Sequence, residues 1–465
     1  MTKTNPIGVE KISTLLLKFS VPAIIGMMVN ALYNIVDRIY IGNAPDLGSN
    51  GLAGITVAFP IMIVLIAVGI LFGVGGATLF SIRLGEHKSK EAELVLGNSF
   101  TLLLISGALF LIIGQIFLSP LLSLFGADSE VLPYATSYMS WIFFGAIFQI
   151  VSLGLNSFLR ADGKPKLAMI TMFVGAGVNI LLDPLFIYVF KMGMAGAALA
   201  TILSQFISMI WILTYFFGKK ANHHIYVKNM VLEKLIVIKI IALGLPGFLL
   251  QISNSILNVV LNKTLFEYGG NIAISAMGVI NSVQTLLLMP IIGLNQGVQP
   301  IVSYNFGAKQ YKRVVEAIKL AVKVATIIVV VGWILTRFFP EQIVRMFNSE
   351  AALIDIGKSG IITWFWLLPV VGFQIIAANF FQAIGRSHSA MFLTLTRQVL
   401  ILIPAVLLLS HFFGFEGILY AAPVADVISV ILTGTWFYFG IRKLHKMDEL
   451  LQEPILLEPS YEFEV

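Results

Sequence analysis

The chain is a succession of apolar runs, each long enough to cross a lipid bilayer, and that feature decides what it can fold into. A helical crossing takes about 20 mostly apolar residues. Inside lipid every backbone N–H and C=O must find its partner within the segment, so runs of this length must be helices. Twelve can be read, near 15–40, 52–82, 94–118, 133–158, 167–190 and 195–217, then near 236–262, 272–303, 315–338, 357–381, 390–410 and 417–440. Composition agrees, with 58% of the 465 residues hydrophobic and 12% charged, against roughly a quarter charged in soluble domains.

The connecting loops alternate in charge. Arg83, His87, Lys88 and Lys90 fall in one loop, and Arg160, Lys164 and Lys166 in the next on that side. Lys219, Lys220, Lys228 and Lys234, then Lys309, Lys312, Arg313 and Lys319, then Arg386, and last Arg442, Lys443 and Lys446 continue the series. Intervening loops carry acids, such as Asp46, Asp128 with Glu130, and Glu267. Lys and Arg excess marks cytoplasmic loops. A multi-pass protein of the cytoplasmic membrane is expected, both termini inside and an even number of spans between them. The net charge of +6 follows from topology rather than from a nucleic-acid partner. The first run is long enough to span, so no cleaved signal peptide is expected.

The two halves of the chain repeat. Ser81-Ile-Arg-Leu-Gly85 corresponds to Ser303-Tyr-Asn-Phe-Gly307, the segment 121–125 to 343–347, and Ala161-Asp-Gly163 with Met169 to Ala383-Ile-Gly385 with Met391, all at an offset of 222. Pro22 and Pro246 stand 224 apart at the start of each half. The reading is an all-α membrane protein of twelve helices in two six-helix bundles: a cytoplasmic N-terminus 1–14, an N-lobe 15–217, a cytoplasmic linker 218–235, a C-lobe 236–440 and a cytoplasmic tail 441–465. Six spans per half keep both copies in one orientation. Their pseudo-twofold then runs along the membrane normal, with a cavity between the lobes.

Polar side chains inside the runs are costly and mark function or pairing. In the first run Asn30, Asn34 and Asp37 share one helical face with Tyr33 and Arg38 beside it; the fifth holds Asn179 and Asp183 and the sixth Ala197 and Thr201, each pair at i, i+4. Asp37, Asp183 and Thr201 all fall about 10 Å below the outer surface. Two carboxylates, an amide and a hydroxyl at one level outline a cation site. Hard oxygen donors suit Na⁺ at Asp37, Asn179, Asp183 and Thr201, and paired acids also suit a shared proton. The alternative is that Asp37 pairs with Arg38 and that Asp183 caps a helix before Pro184. The repeat argues against it, because Asp37 aligns with Leu261 and Asp183 with Ala405, so the fold does not need the acids.

Arg397 and Asp426, on adjacent runs of the second half, are expected to form a structural ion pair. Gln251, Asn254, Asn258 and Asn262 make a polar stripe on the seventh run that mirrors Asn30 to Asp37. Asn30, Tyr33, Asn34, Met172, Asn254, Asn258 and Gln284 are candidate substrate-cavity residues. Met27, Met28, Met277 and Met289 add pliable apolar surface.

These residues carry a resemblance. Pro22, Tyr33-Asn-Ile-Val-Asp37, Ile41-Gly42, Leu159-Arg160-Ala-Asp-Gly163, Asn179-Ile-Leu-Leu-Asp183-Pro-Leu-Phe186, Gly193-Met-Ala-Gly196, Asn295-Gln-Gly297 and Gln299-Pro300 resemble the multidrug and toxic compound extrusion (MATE) transporters, most closely their MepA-like bacterial branch. The resemblance implies two bundles around a V-shaped cleft and efflux of amphipathic, often cationic drugs driven by inward H⁺ or Na⁺. It also implies an N-lobe cation site at Asp37, Asn179, Asp183, Ala197 and Thr201, and a bend of the first helix at Pro22. Some relatives carry a seventh-span acid for a C-lobe ion site. Here that span offers only amides, which concentrates coupling in the N-lobe. The acidic tail with Tyr461 and Phe463 matches no part of the family.

Other classes fit less well. A lipid-linked oligosaccharide flippase on a related fold needs extra spans or a cavity arginine cluster, neither of which is visible. An enzyme needs a constellation inside the spans, and His388 and His411 only approach span ends. The absence of cysteine removes disulfides and thiolate sites. No enzymatic activity and no cofactor beyond the coupling ion are expected, and the chain is expected to be a monomer in the bilayer.

Overall fold

The structure, a computed structural model, describes residues 5–44, 47–347 and 350–452. Nine of its described helices are long and apolar enough to cross a membrane, or eleven when each of two bent pairs is taken as one span. They are α1 (Ile12–Gly42), α2 (Gly48–Gly85), α3 (Ser89–Ile116), α4 (Leu132–Phe144 with Ala146–Ala161), α5 (Pro165–Val189), α6 (Gly193–Phe216), α7 (Lys234–Gly270), α8 (Ile272–Gly307), α9 (Tyr311–Phe338) and α10 (Ala351–Trp364 with Leu368–Ala383). The remaining helical stretch, Ser387–Leu451, has 65 residues. At 1.5 Å per residue it would extend about 97 Å, three times the hydrocarbon core. It reverses at Gly414, whose φ of +60° is closed to most residues and open to glycine. The stretch is therefore two spans, α11 (387–413) and α12 (415–451). The fold is twelve helices in two six-helix bundles.

Backbone irregularities repeat with the same offset as the sequence. His87 and Lys309 adopt positive φ at 61° and 57°, and Gly163 and Gly385 at 79° and 80°, each pair 222 residues apart. α4 and α10 bend by 57° and 52° at corresponding points. Irregular backbone that recurs at equivalent positions is built in by duplication rather than imposed by local sequence.

The lobes meet at the end that carries the basic loops. There α2 runs against α7 and α8 so closely that a Cβ on Gly75 would strike the Ile240 carbonyl, and one on Gly307 the Ile82 carbonyl. In lipid, where helices gain little from hiding apolar surface from one another, small residues of this kind let backbones pack. The cross-lobe hydrogen bonds gather at the same end: Ser20 to the Leu294 carbonyl at 3.4 Å, Gln299 to Thr78 at 2.8 Å, and Arg313 to the Ile7 and Glu10 carbonyls at 3.0 and 2.7 Å. Toward the other end, α1 and α7 present exposed Asn34 and Asn258. The close cross-lobe contacts thus gather on the basic side.

One loop charge is placed differently from the sequence reading. Arg160 is not in a loop: it ends α4 as a buried residue, 6% exposed, and hydrogen-bonds Asn156 and Ser157. Its neighbour Asp162 accepts from Tyr215 and faces His223, each at 2.6 Å. That pins the linker to the N-lobe, where Asn98 also holds Asn229 and Val231 carbonyls. Residues 441–451, read from the sequence as tail, belong to helix α12. Asp46 and the tail with Tyr461 and Phe463 lie outside the described residues.

Candidate functional site: a buried acidic pocket in the N-lobe

Four helices converge on one polar pocket. α5 supplies Asn179 and Asp183, one turn apart on its buried face and 1% and 0% exposed. α6 supplies Thr201, α1 supplies Asp37 and Tyr33, and α4 supplies Tyr138. Asn179 Nδ2 donates to Asp183 Oδ1 at 3.2 Å and reaches Thr201 Oγ1 at 3.5 Å. The Thr201 hydroxyl donates to the Ala197 carbonyl at 3.1 Å, so its lone pairs face the pocket. Ala197 contributes that carbonyl and a side chain small enough for α6 to press against α5. The Asp37 and Asp183 carboxyl groups are near enough to interact, as are Tyr138 and Thr201.

The pocket has too many acceptors. Asp37 Oδ1, Asn179 Oδ1 and Asp183 Oδ2 are buried without a hydrogen-bond partner. Arg38, the nearest cation in sequence, lies over the Phe59 ring at 5.6 Å rather than across Asp37. Buried oxygens left unpaired are expensive, and two carboxylates facing each other more so. A proton shared between the acids, or a cation among the three oxygens, would satisfy them. The donor set is all hard oxygen, which fits Na⁺ as well as H⁺.

The helices are held in register from outside the pocket. Pro184 follows Asp183, and α5 then widens into a π-helical turn over Leu185–Val189, the kind of local irregularity that frequents functional sites. From that turn the Tyr188 hydroxyl donates to the Tyr40 carbonyl at 2.7 Å, tying α5 to α1 beyond the acids. Tyr138 was not picked out from the sequence. Its only signal is a hydroxyl on a fully buried ring in an apolar stretch, which many packed tyrosines share.

A model of the MatE family matches the chain twice, over residues 22–185 and 246–407. The chain belongs to the MatE family. The matched segments begin 224 and end 222 residues apart, the offsets already seen in the loops. Multidrug export protein MepA of Staphylococcus haemolyticus (strain JCSC1435) is 28% identical over 417 residues, covering 90% of this chain and 91% of its own. The MepA of Staphylococcus aureus (strain MRSA252) is 27% identical over 416 residues with the same coverage. Among solved structures, the MATE multidrug transporter DinF-BH is 38% identical, with a TM-score of 0.88 over 94% of this chain and 98% of that one. An outward-facing multidrug resistance MATE family transporter of the MOP superfamily is 26% identical, with a TM-score of 0.90 over 96% and 99%.

The other residues singled out in this MatE chain are dispersed. Asn34 donates to the Asn30 carbonyl at 2.7 Å and Asn258 to the Asn254 carbonyl at 2.9 Å, so the polar stripes of α1 and α7 partly serve their own helices. Asn254 also accepts from Gln398 at 2.5 Å. Met172 fills the space over Gly26 between α1 and α5. Gln284 accepts from Trp364 Nε1 at 2.8 Å, inside the C-lobe, where it lines a cavity with Arg397 and Asp426. Pro22 is buried in α1, which runs through it as one helix, about 22 Å along the axis from Asp37.

Proposed function

We propose that the chain is a secondary multidrug efflux antiporter of the bacterial cytoplasmic membrane. It exports amphipathic and cationic compounds in exchange for H⁺ or Na⁺, as a monomer with its basic loops and both termini in the cytoplasm. The observation that carries this reading is the set of three partnerless buried oxygens on Asp37, Asn179 and Asp183. A pocket of that kind asks for an exchangeable cation. Its MepA relatives are multidrug export proteins by name, which supports drugs as the cargo.

The exchange follows from charge. When the lobes part on the non-basic side, an inward gradient supplies H⁺ or Na⁺ to the pocket from outside. Filling it neutralises part of the negative field that holds a cationic drug in the cleft, so drug leaves as the ion arrives. Return to the state open on the basic side releases the ion and restores the field. The ion biases that cycle by no more than the difference between its affinities for the two states.

The test uses membrane vesicles loaded with a fluorescent organic cation, with pH and Na⁺ gradients imposed separately. Efflux should accelerate under at least one gradient and stay at the leak rate under neither. Efflux that ignores both gradients would overturn the reading.

A further inference from the structure

The basic-side seam between the lobes holds a second charged feature, which the acidic pocket does not use. Arg160 is buried, donating to Asn156 Oδ1 at 2.5 Å and to Ser157 Oγ at 3.2 Å. Both acceptors are neutral. The adjacent acid, Asp162, is turned to Tyr215, Asn222 and His223. Arg83, one helix away, is paired with Glu86 and Glu91. Carbonyls at the end of α4 offset roughly half an elementary charge at most. A buried guanidinium otherwise needs an anion.

Beside Arg160 lies a small, partly open cavity walled by Thr78, Ser81 and Ser157 of the N-lobe and by Gln296 and Gln299 of the C-lobe. Its hydroxyls have protons to give. Ser81 Oγ is buried and has no partner, and Ser157 accepts from Arg160, which leaves its own proton to give. Gln296 Oε1 is also buried without a partner, while its Nε2 rests on the Met27 sulfur at 3.4 Å. Turning that amide over, which heavy-atom positions do not distinguish, sends an N–H into the cavity and leaves the oxygen beside sulfur. Gln299 is committed to Thr78 at 2.8 Å. No carboxylate is among the residues lining this cavity.

We propose that this cavity binds a small inorganic anion of halide size, chloride in a biological medium, and that the anion helps hold the lobes together at their basic end. One guanidinium matches one negative charge. Neutral hydroxyl and amide donors complete a shell for a monatomic ion, whereas a phosphate dianion would bring more charge than the site balances. Because the walls come from both lobes, parting them dismantles the shell. Occupancy therefore favours the state closed on the basic side. The inference rests on the two-lobe geometry alone, so it can fail while drug efflux stands, and the reverse.

The chain has no cysteine, which makes a single reporter clean. Ser20 is buried in the seam against the Leu294 carbonyl, so maleimide labelling of S20C in the full-length protein in nanodiscs reports opening at the basic end. At constant ionic strength, replacing gluconate by chloride or bromide should slow labelling saturably, by about fivefold if the anion shifts the two-state balance by that factor. R160Q should abolish the dependence. S81A, which keeps the charge and should fold whether or not R160Q does, should raise the half-saturating chloride concentration about tenfold. Equal labelling in gluconate and chloride, a response to phosphate alone, or an unchanged midpoint in S81A would each overturn the proposal and leave only water in the cavity.

Discussion

The two lobes share a backbone and handle buried charge in opposite ways. In the C-lobe, Arg397 Nε donates to Asp426 Oδ1 at 2.8 Å, beside the Gln284–Trp364 hydrogen bond, so the acid carries its counter-charge within the lobe. In the N-lobe, Asp37 and Asp183 face each other with no ion pair among the described residues, and the Arg38 charge acts on Asp37 only through space. Neither arrangement is copied: by the repeat offset, Arg397 and Asp426 fall on Gly175 and Ser204, and Asp37 and Asp183 on buried Leu261 and Ala405. Each lobe also places its charge beside a π-helical turn, Leu185–Val189 after Asp183 and Thr396–Leu402 around Arg397. The same fold therefore tolerates an acid in two ways. A fixed internal cation makes a structural element, and a missing one leaves buried oxygens without a partner.

The sharpest way to break that comparison is to remove one acid from each lobe. Asp183→Asn and Asp37→Asn should each lower gradient-driven efflux at least about tenfold, to the leak rate, because the amide neither binds the ion nor carries its charge. The same variants should keep or raise the thermal unfolding midpoint, since they relieve facing carboxylates. Vesicle efflux and unfolding of the purified protein read the two effects separately. Full gradient-driven transport in either variant would place coupling elsewhere.

Asp426→Ala should do the reverse, destabilising the fold by about 3 kcal/mol because it leaves a buried arginine without its partner. Replacing both, as R397M with D426L, should recover most of that loss, since apolar isosteres of a buried pair are often neutral. Thermal unfolding of the two variants decides it. A stable Asp426→Ala protein that has lost ion coupling would erase the distinction between the lobes.

How much of this could be read from residue order depends on the physics behind each feature. Span number and duplication were legible because a bilayer sets the length of every run and because loop residues recur at a fixed offset. The acids were legible because a carboxylate in hydrocarbon stands out, and i, i+4 spacing puts Asn179 and Asp183 on one face. Tyr138 was not, since an aromatic ring in an apolar helix looks like packing until a neighbouring helix brings Thr201 to its hydroxyl. Arg160 was misassigned for a related reason. A charge at the end of a span can point to solvent or turn back along the helix, and only the packed Asn156 and Ser157 show which. Closure on the basic side was silent as well, because Gly75 and Gly307 matter only through the backbones opposite them.

A smaller effect tests the edge of the N-lobe pocket. Tyr138→Phe deletes the hydroxyl near Thr201 and leaves the ring in place. Losing a polar contact of about 1 kcal/mol should raise the ion concentration for half-maximal efflux about fivefold, with the maximal rate retained. A lower maximal rate at an unchanged half-saturating concentration would mean that the tyrosine serves the conformational change instead.

The smallest effect is the control that gives the others their meaning. Glu86 lies just outside α2, between Arg83 at 2.5 Å and Lys88 at 3.3 Å. Partial burial pushes its carboxyl up, but the hydrogen bonds and charges of Arg83 and Lys88 outweigh that and hold it below the usual range. A carboxyl depressed in the folded state adds stability above its unfolded pKa and loses it as pH falls through the folded one, so its contribution is in place at neutral pH and fades on the acid side. The pairs are solvent-facing, so Glu86→Gln should cost no more than about 0.5 kcal/mol. It should leave gradient-driven efflux unchanged, because Arg83 keeps Glu91 at 3.2 Å. The substitution is the same carboxyl-to-amide change as in the pocket, made where a counter-charge already stands. If it too abolished coupling, the loss in Asp37→Asn and Asp183→Asn would reflect the protein's overall charge, and the contrast between a completed and an uncompleted acid would have no functional content.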